Sequence, residues 1–242
     1  MRTDIRLRSV GAIVNDNYAA ARIFKKYGID FCCGGTATLA DACRMANVEV
    51  DRVVAELNAM ASDVVASAIP FDSWDTDLLI DYVLKVHHRG IRRRGPELMS
   101  LIEKVALQHG DRHPELNDLV GHFRLSLDDL ESHLQKEERV LFPYCYELFE
   151  AQSRGDGHSR MHCGTVANPI RQMLHEHHDE GTRYKFIRRM MNDFRVPDDA
   201  CVSYRLMLSD LESFMDALFE HIHIENNILF PRFIELEKST VI

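Results

Sequence analysis

The sequence lacks the features that mark three familiar classes of protein. Its six cysteines include no Cys-x-x-Cys pair, its longest basic run is Arg92-Arg93-Arg94, and no uninterrupted apolar stretch approaches the roughly 18 residues of a membrane-spanning helix. These absences exclude a disulfide-rich miniprotein and argue against nucleic acid and membrane partners. The formal net charge of -9 makes nucleic acid a still poorer partner, because phosphate backbones attract basic surfaces.

The sequence also gives no sign of secretion. The first apolar run after Arg8 ends at Asn15, which is too short for a secretory signal, and the cysteines form no disulfide framework. We therefore expect a cytoplasmic protein. With 242 residues, of which 45% are hydrophobic and 28% charged, the chain is long enough for one large domain or two unequal ones.

Residues 1–62 are predicted to form a small helical N-terminal domain. Apolar residues recur at helical spacing over residues 10–27, up to Gly28, which suits a left-handed C-terminal cap. A second helix is predicted to start near Thr36, a suitable N-cap, and a third covers residues 50–60.

A predicted linker at 63–75 separates this domain from four longer periodic segments. The segments span about residues 76–108, 115–149, 169–194 and 199–237. Apolar positions that step by threes and fours are typical of a helical bundle, so residues 76–242 are expected to form one. The first segment contains Gly90, Gly95 and Pro96, which could kink or break it. No segment alternates long enough to require a sheet, and the predicted fold class is all-α.

The second and fourth segments contain one phrase twice. His133 is followed four residues later by Glu137, His221 is followed four residues later by Glu225, and each pair leads into Leu-Phe-Pro. Each glutamate occupies a position where the pattern demands an apolar residue, so two carboxylates are expected inside the bundle. A buried carboxylate costs several kcal/mol unless it is paired or binds a metal.

Histidine pairs in the first and third segments, His87-His88 and His177-His178, complete a donor set drawn from four helices. A single His–Glu pair at this spacing is usually a surface pair, but the repetition and the core positions argue against that interpretation. Four imidazoles and two bridging carboxylates suit two metal ions. Nitrogen and oxygen donors with an open position favour iron over zinc or copper, with manganese as a weaker alternative. The sequence therefore predicts two non-haem iron ions in an oxo- or hydroxo-bridged di-iron centre.

The two His-x-x-x-Glu elements with their Leu-Phe-Pro continuation resemble hemerythrin-like di-iron domains. Upstream, the segment Asp30-Phe31-Cys32-Cys33-Gly34-Gly35 resembles the short N-terminal domain of the Repair of Iron Centres family. This resemblance covers nearly the whole chain. It implies a stress-response protein that restores iron-sulfur clusters damaged by nitric oxide or peroxide, in a family credited with supplying iron and with reducing nitric oxide.

The resemblance also implies a set of metal ligands. These are His88, His133, Glu137, His178, His221 and Glu225. His87 and His177 compete with His88 and His178, and the latter are preferred because of their spacing to Pro96 and to Asp179-Glu180. The other member of each pair points about 100° away and is expected to be partly exposed or to support a ligand.

Cys32 and Cys33 lead through two glycines toward a predicted helix start, where the helix dipole would stabilise a thiolate. The pair could transfer electrons, hold iron transiently or form a vicinal disulfide. The alternative is a buried turn in which cysteine acts as a small apolar residue. The resemblance favours a redox or iron-transfer role. Cys43, Cys145 and Cys201 fall in helical segments and are expected to be packing residues.

Residues 151–168 contain His158, His162 and Cys163, which could suggest a second metal site, but a solvated connection is the preferred interpretation. The expected partners are damaged iron-sulfur proteins and the small ligands nitric oxide or oxygen, with a homodimer formed through the N-terminal domain as a further option. Two other functions stay open from the sequence: a hemerythrin-type oxygen or nitric oxide carrier or sensor, and a nitric oxide reductase. The thiol pair argues against a simple carrier.

Overall fold

The computed structural model describes residues 4–62, 69–155, 157 and 164–240. Every regular element in these ranges is helical, and the one β contact found there is an isolated bridge between Ser9 and Thr38. The predicted all-α class is confirmed. Among the described helices, none combines the length and apolar character needed to cross a membrane.

The chain divides into two compact units. The first contains Met1–Leu79 together with Ile222–Glu235, and the second contains Ile80–His221 together with Leu236–Ile242. Residues 63–68 of the predicted linker lie outside the described residues, and its described end holds a single 3-10 turn at Phe71–Ser73.

The N-terminal part of the first unit contains four helices. They are α1 (Val10–Asp16), α2 (Ala20–Lys26), α3 (Leu39–Met45) and α4 (Val50–Ser62). The single helix expected over residues 10–27 is therefore two. Asn17 ends α1 because its backbone is extended and its side-chain Oδ1 accepts a hydrogen bond from the Ala19 amide at 3.0 Å.

Two helix boundaries of the first unit bear on the sequence predictions. Gly28 follows α2 with a φ of +67°, which confirms the left-handed cap. The N-cap of α3 is Thr38, not Thr36, since the Thr38 hydroxyl accepts from the Asp41 amide at 3.1 Å.

The remaining helices form four longer runs, three of which contain a π-helical turn. The first run is α5 (Thr76–Tyr82), π1 (Val83–His88) and α6 (Arg89–His109), and the second is α7 (Glu115–Lys136), π2 (Glu137–Leu141) and α8 (Phe142–Arg154). The third is α9 (Ala167–Met190), and the fourth is α10 (Val202–Ile224), π3 (Glu225–Leu229) and α11 (Phe230–Thr240).

The second unit buries the apolar stripes that the sequence predicts. Along α7 and α10 the fully or almost fully buried residues are Leu116, Leu119, Phe123, Leu130, Leu134, Tyr204, Leu208, Leu211, Met215 and Leu218. The expectation that Gly90, Gly95 or Pro96 could break the first run is wrong, because α6 continues through all three. Gly95 is buried, and a Cβ there would lie 2.6 Å from Cδ2 of Leu127, so α6 and α7 approach closely at this point.

Candidate metal centre

Four buried histidines from four helical runs meet inside the second unit. Donor atoms of His133, His177 and His221 lie within 4.8 Å of one another, and so do donor atoms of His88, Glu137 and His221. The imidazole rings of His88 and His221 stack with centroids 5.3 Å apart, and those of His133 and His177 are 4.7 Å apart. The two donor groups therefore share His221.

Glu137 lies between histidines of both groups. Its side chain has no solvent exposure, and its Oε2 is 3.4 Å from Nε2 of His88 and 3.3 Å from Nε2 of His133. The residue is the first of π2, one helical turn after His133. The sequence expectation of a carboxylate inside the bundle is thus confirmed at this position.

Glu225 has the same local setting in the second copy of the phrase. It is the first residue of π3, follows His221 by one turn in an uninterrupted helical run, and is also fully buried. Both copies of the repeat therefore place a histidine at the end of an α-helix and a buried glutamate at the start of a π-helical turn, a feature that is frequent at functional sites.

The third run contributes His177 and not His178. His177 is 3% exposed and its Nε2 lies 3.0 Å from Nε2 of His133, whereas His178 is exposed. The predicted His178 is therefore corrected to His177. The reason is the phase of α9, whose buried stripe contains Met173, His177, Glu180 and Tyr184.

The other paired histidine, His87, is buried as well as His88. Its Nε2 is 3.4 Å from Oε1 of Glu220, which also accepts a hydrogen bond from the Tyr82 hydroxyl at 3.0 Å. The expectation of a partly exposed His87 is wrong, because π1 places both members of the pair inside the unit.

A carboxylate orients the outer nitrogen of His88. Nδ1 of His88 lies 2.8 Å from Oε1 of Glu138, which also accepts from Nη1 of Arg92 at 2.6 Å. Burial raises the pKa of Glu138, but the hydrogen bonds from Arg92 and His88 outweigh it and lower the pKa overall. The ionised Glu138 holds the proton of His88 on Nδ1, which leaves the lone pair of this imidazole on Nε2, the nitrogen that faces Glu137.

His133 has an equivalent partner in Glu176. Nδ1 of His133 is 2.8 Å from Oε2 of Glu176, and Lys136 and Gln172 donate to Oε1 of the same carboxylate. Burial opposes ionisation of Glu176, yet these hydrogen bonds lower its pKa to about 2. Sequence reasoning missed Glu138 and Glu176, although each is adjacent in sequence to a donor residue, Glu137 or His177.

The donor set fits a cation. Two atoms bound at about 2.1 Å and at right angles to one ion are about 3 Å apart. Nε2 of His133 is 3.0 Å from Nε2 of His177, and Oε2 of Glu137 is 3.3 Å from Nε2 of His133 and 3.4 Å from Nε2 of His88, all close to this value. Nitrogen lone pairs that face one another and a carboxylate repel unless a proton or a metal cation lies between them. The chemistry of these residues is therefore that of a metal site.

Comparison with known proteins agrees with this geometry. Residues 6–61 match the ScdA_N family, described as a domain of unknown function, and residues 79–233 match the family described as hemerythrin HHE cation binding domain. The iron-sulfur cluster repair protein YtfE of Yersinia pseudotuberculosis serotype O:1b is 31% identical over 232 residues, which cover 95% of this chain and 97% of that protein. YtfE of Yersinia pestis strain Pestoides F is 30% identical with the same coverage. The chain belongs to the iron-sulfur cluster repair family.

In this member of the iron-sulfur cluster repair family, the thiol pair lies in the first unit. Cys32 is buried, Cys33 is half-buried, and their sulfur atoms are 3.9 Å apart without a disulfide bond between them. Oδ1 of Asp30 accepts from both cysteine amides, and donor atoms of Asp30, Cys32 and Cys33 lie within 4.8 Å of one another.

The helix-dipole argument for these cysteines is wrong. The next helix, α3, begins at Leu39, six residues after Cys33, so its N-terminus does not act on the thiols. The hydrogen bond with Cys33 and burial raise the pKa of the Cys32 thiol well above its ordinary value. At neutral pH the Cys32 thiol therefore keeps its proton.

Asn227 of π3 supports the cysteine turn within the first unit. Its amide Nδ2 donates to the carbonyl oxygen of Cys32 at 3.1 Å. The amide fits because Gly35 has no side chain: a Cβ at Gly35 would lie 2.1 Å from Oδ1 of Asn227. The cysteine turn is thus attached to the same short helical turn that begins with Glu225.

Other candidates from the sequence have mixed outcomes. Cys43 and Cys145 are buried, as expected of packing residues, but Cys201 is partly exposed and precedes the start of α10. His158, His162 and Cys163 lie outside the described residues.

Proposed function

We propose that this chain repairs damaged iron-sulfur clusters and that its resident cofactor is a pair of non-haem iron ions. The proposed ligands are His88, His133, Glu137, His177, His221 and Glu225. The observation that carries this proposal is the fully buried Glu137 carboxylate, whose Oε2 lies within 3.4 Å of an imidazole nitrogen from each donor group. The cluster-repair activity is proposed because the relatives are named iron-sulfur cluster repair proteins.

Two ions account for the donor set better than one. Six side-chain donors exceed what a single ion of four-coordinate preference needs, and they complete two sites if both carboxylates are shared. Zinc favours closed four-coordinate sites, whereas imidazole and carboxylate donors with an open position suit iron. Iron held there would supply reversible electron transfer and an open position for nitric oxide or oxygen.

The surrounding residues would keep that site in order. Glu138 and Glu176 hold the protons of His88 and His133 on Nδ1, so both imidazoles present Nε2 to the interior. Burial of all four donor histidines excludes bulk water, which strengthens every electrostatic interaction among them.

Cys32 and Cys33 are proposed to pass electrons or iron between the chain and a damaged client. Support comes from the two thiols, which form no disulfide and have Asp30 beside them, a donor set that soft and borderline metal ions accept. The hydrogen bond from Asn227 holds the Cys32 carbonyl on the π3 turn, which fixes the position of the pair.

We further propose a cytoplasmic location, where reducing conditions would keep the thiols free, and clients among damaged iron-sulfur proteins. Homodimer formation through the first unit also stands as a proposal, and gel filtration with light scattering tests it.

The function is tested with a client enzyme whose iron-sulfur cluster has been damaged by nitric oxide. We expect the iron-loaded chain to restore most of the client activity. The double variant Cys32→Ala with Cys33→Ala should keep its iron and helicity yet lose repair, because the thiols lie outside the bundle donor set. Iron content and client activity are measured on the same samples.

Cys43→Ala is the matched control, since Cys43 is a buried cysteine of the same unit and should leave repair unchanged. If the chain holds two irons but restores nothing, the repair function is wrong. If the double variant loses its iron, the cysteines are ligands and not transfer residues.

A further inference from the structure

A second group of polar side chains lies in the second unit, far along α6 from the metal centre. His109 is the last residue of α6 and follows His88 by 21 residues, roughly 30 Å of helix. Cys201 immediately precedes the first residue of α10. The proposed function gives neither residue a role.

The two side chains are in direct contact. Nε2 of His109 lies 3.2 Å from Sγ of Cys201, which is within hydrogen-bond distance for a thiol and an imidazole. His109 is only 6% exposed, and its Nδ1 has no hydrogen-bond partner among the described residues, so the contact with Cys201 is the hydrogen bond found there for its ring. The ring also packs beside Tyr204, with centroids 5.4 Å apart, which fixes its orientation.

Cys201 also lies at the N-terminal end of a long helix. Its carbonyl oxygen accepts from the Arg205 amide at 3.1 Å, so Cys201 makes the first backbone hydrogen bond into the 23-residue helix α10, just before its first residue. A helix N-terminus and a nearby imidazole that can accept a proton are surroundings in which reactive cysteines occur. Cys201 is partly exposed, so a small reagent can reach it.

Packing alone does not account for this arrangement. Cys43 and Cys145 show what a packing cysteine looks like in this chain, because each is 1% exposed and burial raises the pKa of its thiol. Cys201 differs from both because a buried histidine lies within hydrogen-bond distance of its sulfur and because the residue is partly exposed to solvent.

We propose that Cys201 and His109 form a reactive thiol site that takes a hydroperoxide as its co-substrate. The thiol proton passes to Nε2 of His109, and the sulfur attacks one peroxide oxygen. A sulfur–oxygen bond forms as the oxygen–oxygen bond breaks, and the proton on His109 goes to the departing oxygen as water or alcohol. Sulfur is oxidised by two electrons to sulfenic acid, and the peroxide is reduced by two.

The test uses the full chain and site-resolved mass spectrometry. Protein at pH 7 is treated either with iodoacetamide, which reports thiolate without involving iron, or with dilute hydrogen peroxide followed by a sulfenic acid trap. We expect Cys201 to react at least about tenfold faster than Cys43 and Cys145. His109→Gln should slow both reactions of Cys201 about tenfold or more, a typical effect of losing an acid-base partner.

His122→Gln is the matched control, because His122 is a histidine of α7 whose ring packs beside that of Phe186. It should leave the rate at Cys201 unchanged. The comparison among cysteines in the wild-type chain stands even if His109→Gln fails to fold. The proposal is wrong if wild-type Cys201 reacts no faster than the buried cysteines, or if a folded His109→Gln variant reacts at the wild-type rate.

Discussion

A single carboxylate fixes which nitrogen faces the candidate metal centre in His88, and another does so in His133. Glu138 and Glu176 contribute no donor atom to the two groups. Each accepts a hydrogen bond at 2.8 Å from the imidazole of a proposed ligand, His88 or His133. A buried N–H without an acceptor costs about 1–3 kcal/mol, and an imidazole that turned to satisfy it would point the wrong atom inward. Glu138 and Glu176 are therefore needed, as the donors are, for the correct nitrogen atoms to face the interior.

The choice between His177 and His178 gives a prediction at this scale. His177→Ala should lower the iron content below two per chain, because it removes a buried nitrogen 3.0 Å from that of His133. His178→Ala should leave iron content unchanged, since His178 is exposed on the other side of α9. Metal analysis of both variants, loaded without oxygen, is the measurement. Iron loss in His178→Ala alone would restore the original prediction.

At the scale of helices, the π-helical turns are the feature that a regular helical pattern does not reveal. Glu137 and Glu225 each begin such a turn, and His88 ends the third. A π turn holds an extra residue and shifts the phase of the side chains around it. The 3.6-residue period therefore predicts that these helices exist but not how the donors are phased, which is how both His87 and His88 come to be buried.

The sequence nevertheless predicts much of the arrangement. The apolar stripes of α7 and α10 locate the core, and the out-of-pattern position of Glu137 locates the site. The failures have local causes. The Asn17 side chain, which accepts from the Ala19 amide, divides one expected helix into two. The preference for His178 rests on spacing to neighbouring acids, whereas the buried stripe of α9 continues from Met173 to His177.

Two glycines of neighbouring helices give a prediction about packing. Gly121→Ala in α7 should raise the melting temperature by a few degrees, because a Cβ there meets nothing within 4 Å and alanine favours helix by about 1 kcal/mol. Gly95→Ala should gain less or lose stability, because its Cβ would press on Leu127. Thermal melts of both variants test this. Equal gains would show that α6 and α7 do not approach closely at Gly95.

At the scale of the whole molecule, the two units carry different chemistry. The first holds the turn with Cys32 and Cys33, and the second holds Glu137 and the buried histidines that surround it, His88, His133, His177 and His221. The four residues His133, Glu137, His221 and Glu225 could be singled out because an internal repeat doubles the evidence for each of them, whereas the choice within the two histidine pairs had no such support. The outer carboxylates could not, because a glutamate next to a ligand has the same pattern as any surface charge until the helices are packed.

The fold should be less stable without a bound metal ion. Glu137 is a fully buried acid among imidazoles, and a carboxylate in such surroundings destabilises the fold unless a cation or proton neutralises it. Iron binding and stability should therefore be coupled, with bound metal raising the melting temperature.

The most direct test is iron titration of the wild-type chain and of Glu137→Leu, with thermal melts of both metal-free proteins. We expect about two irons per wild-type chain and far fewer in the variant, because one shared ligand is lost to both ions. The metal-free variant should melt at or above the metal-free wild type, since leucine replaces a buried charge. Retention of both irons by Glu137→Leu, or one tightly held zinc and no affinity for iron in the wild type, would contradict the two-iron centre.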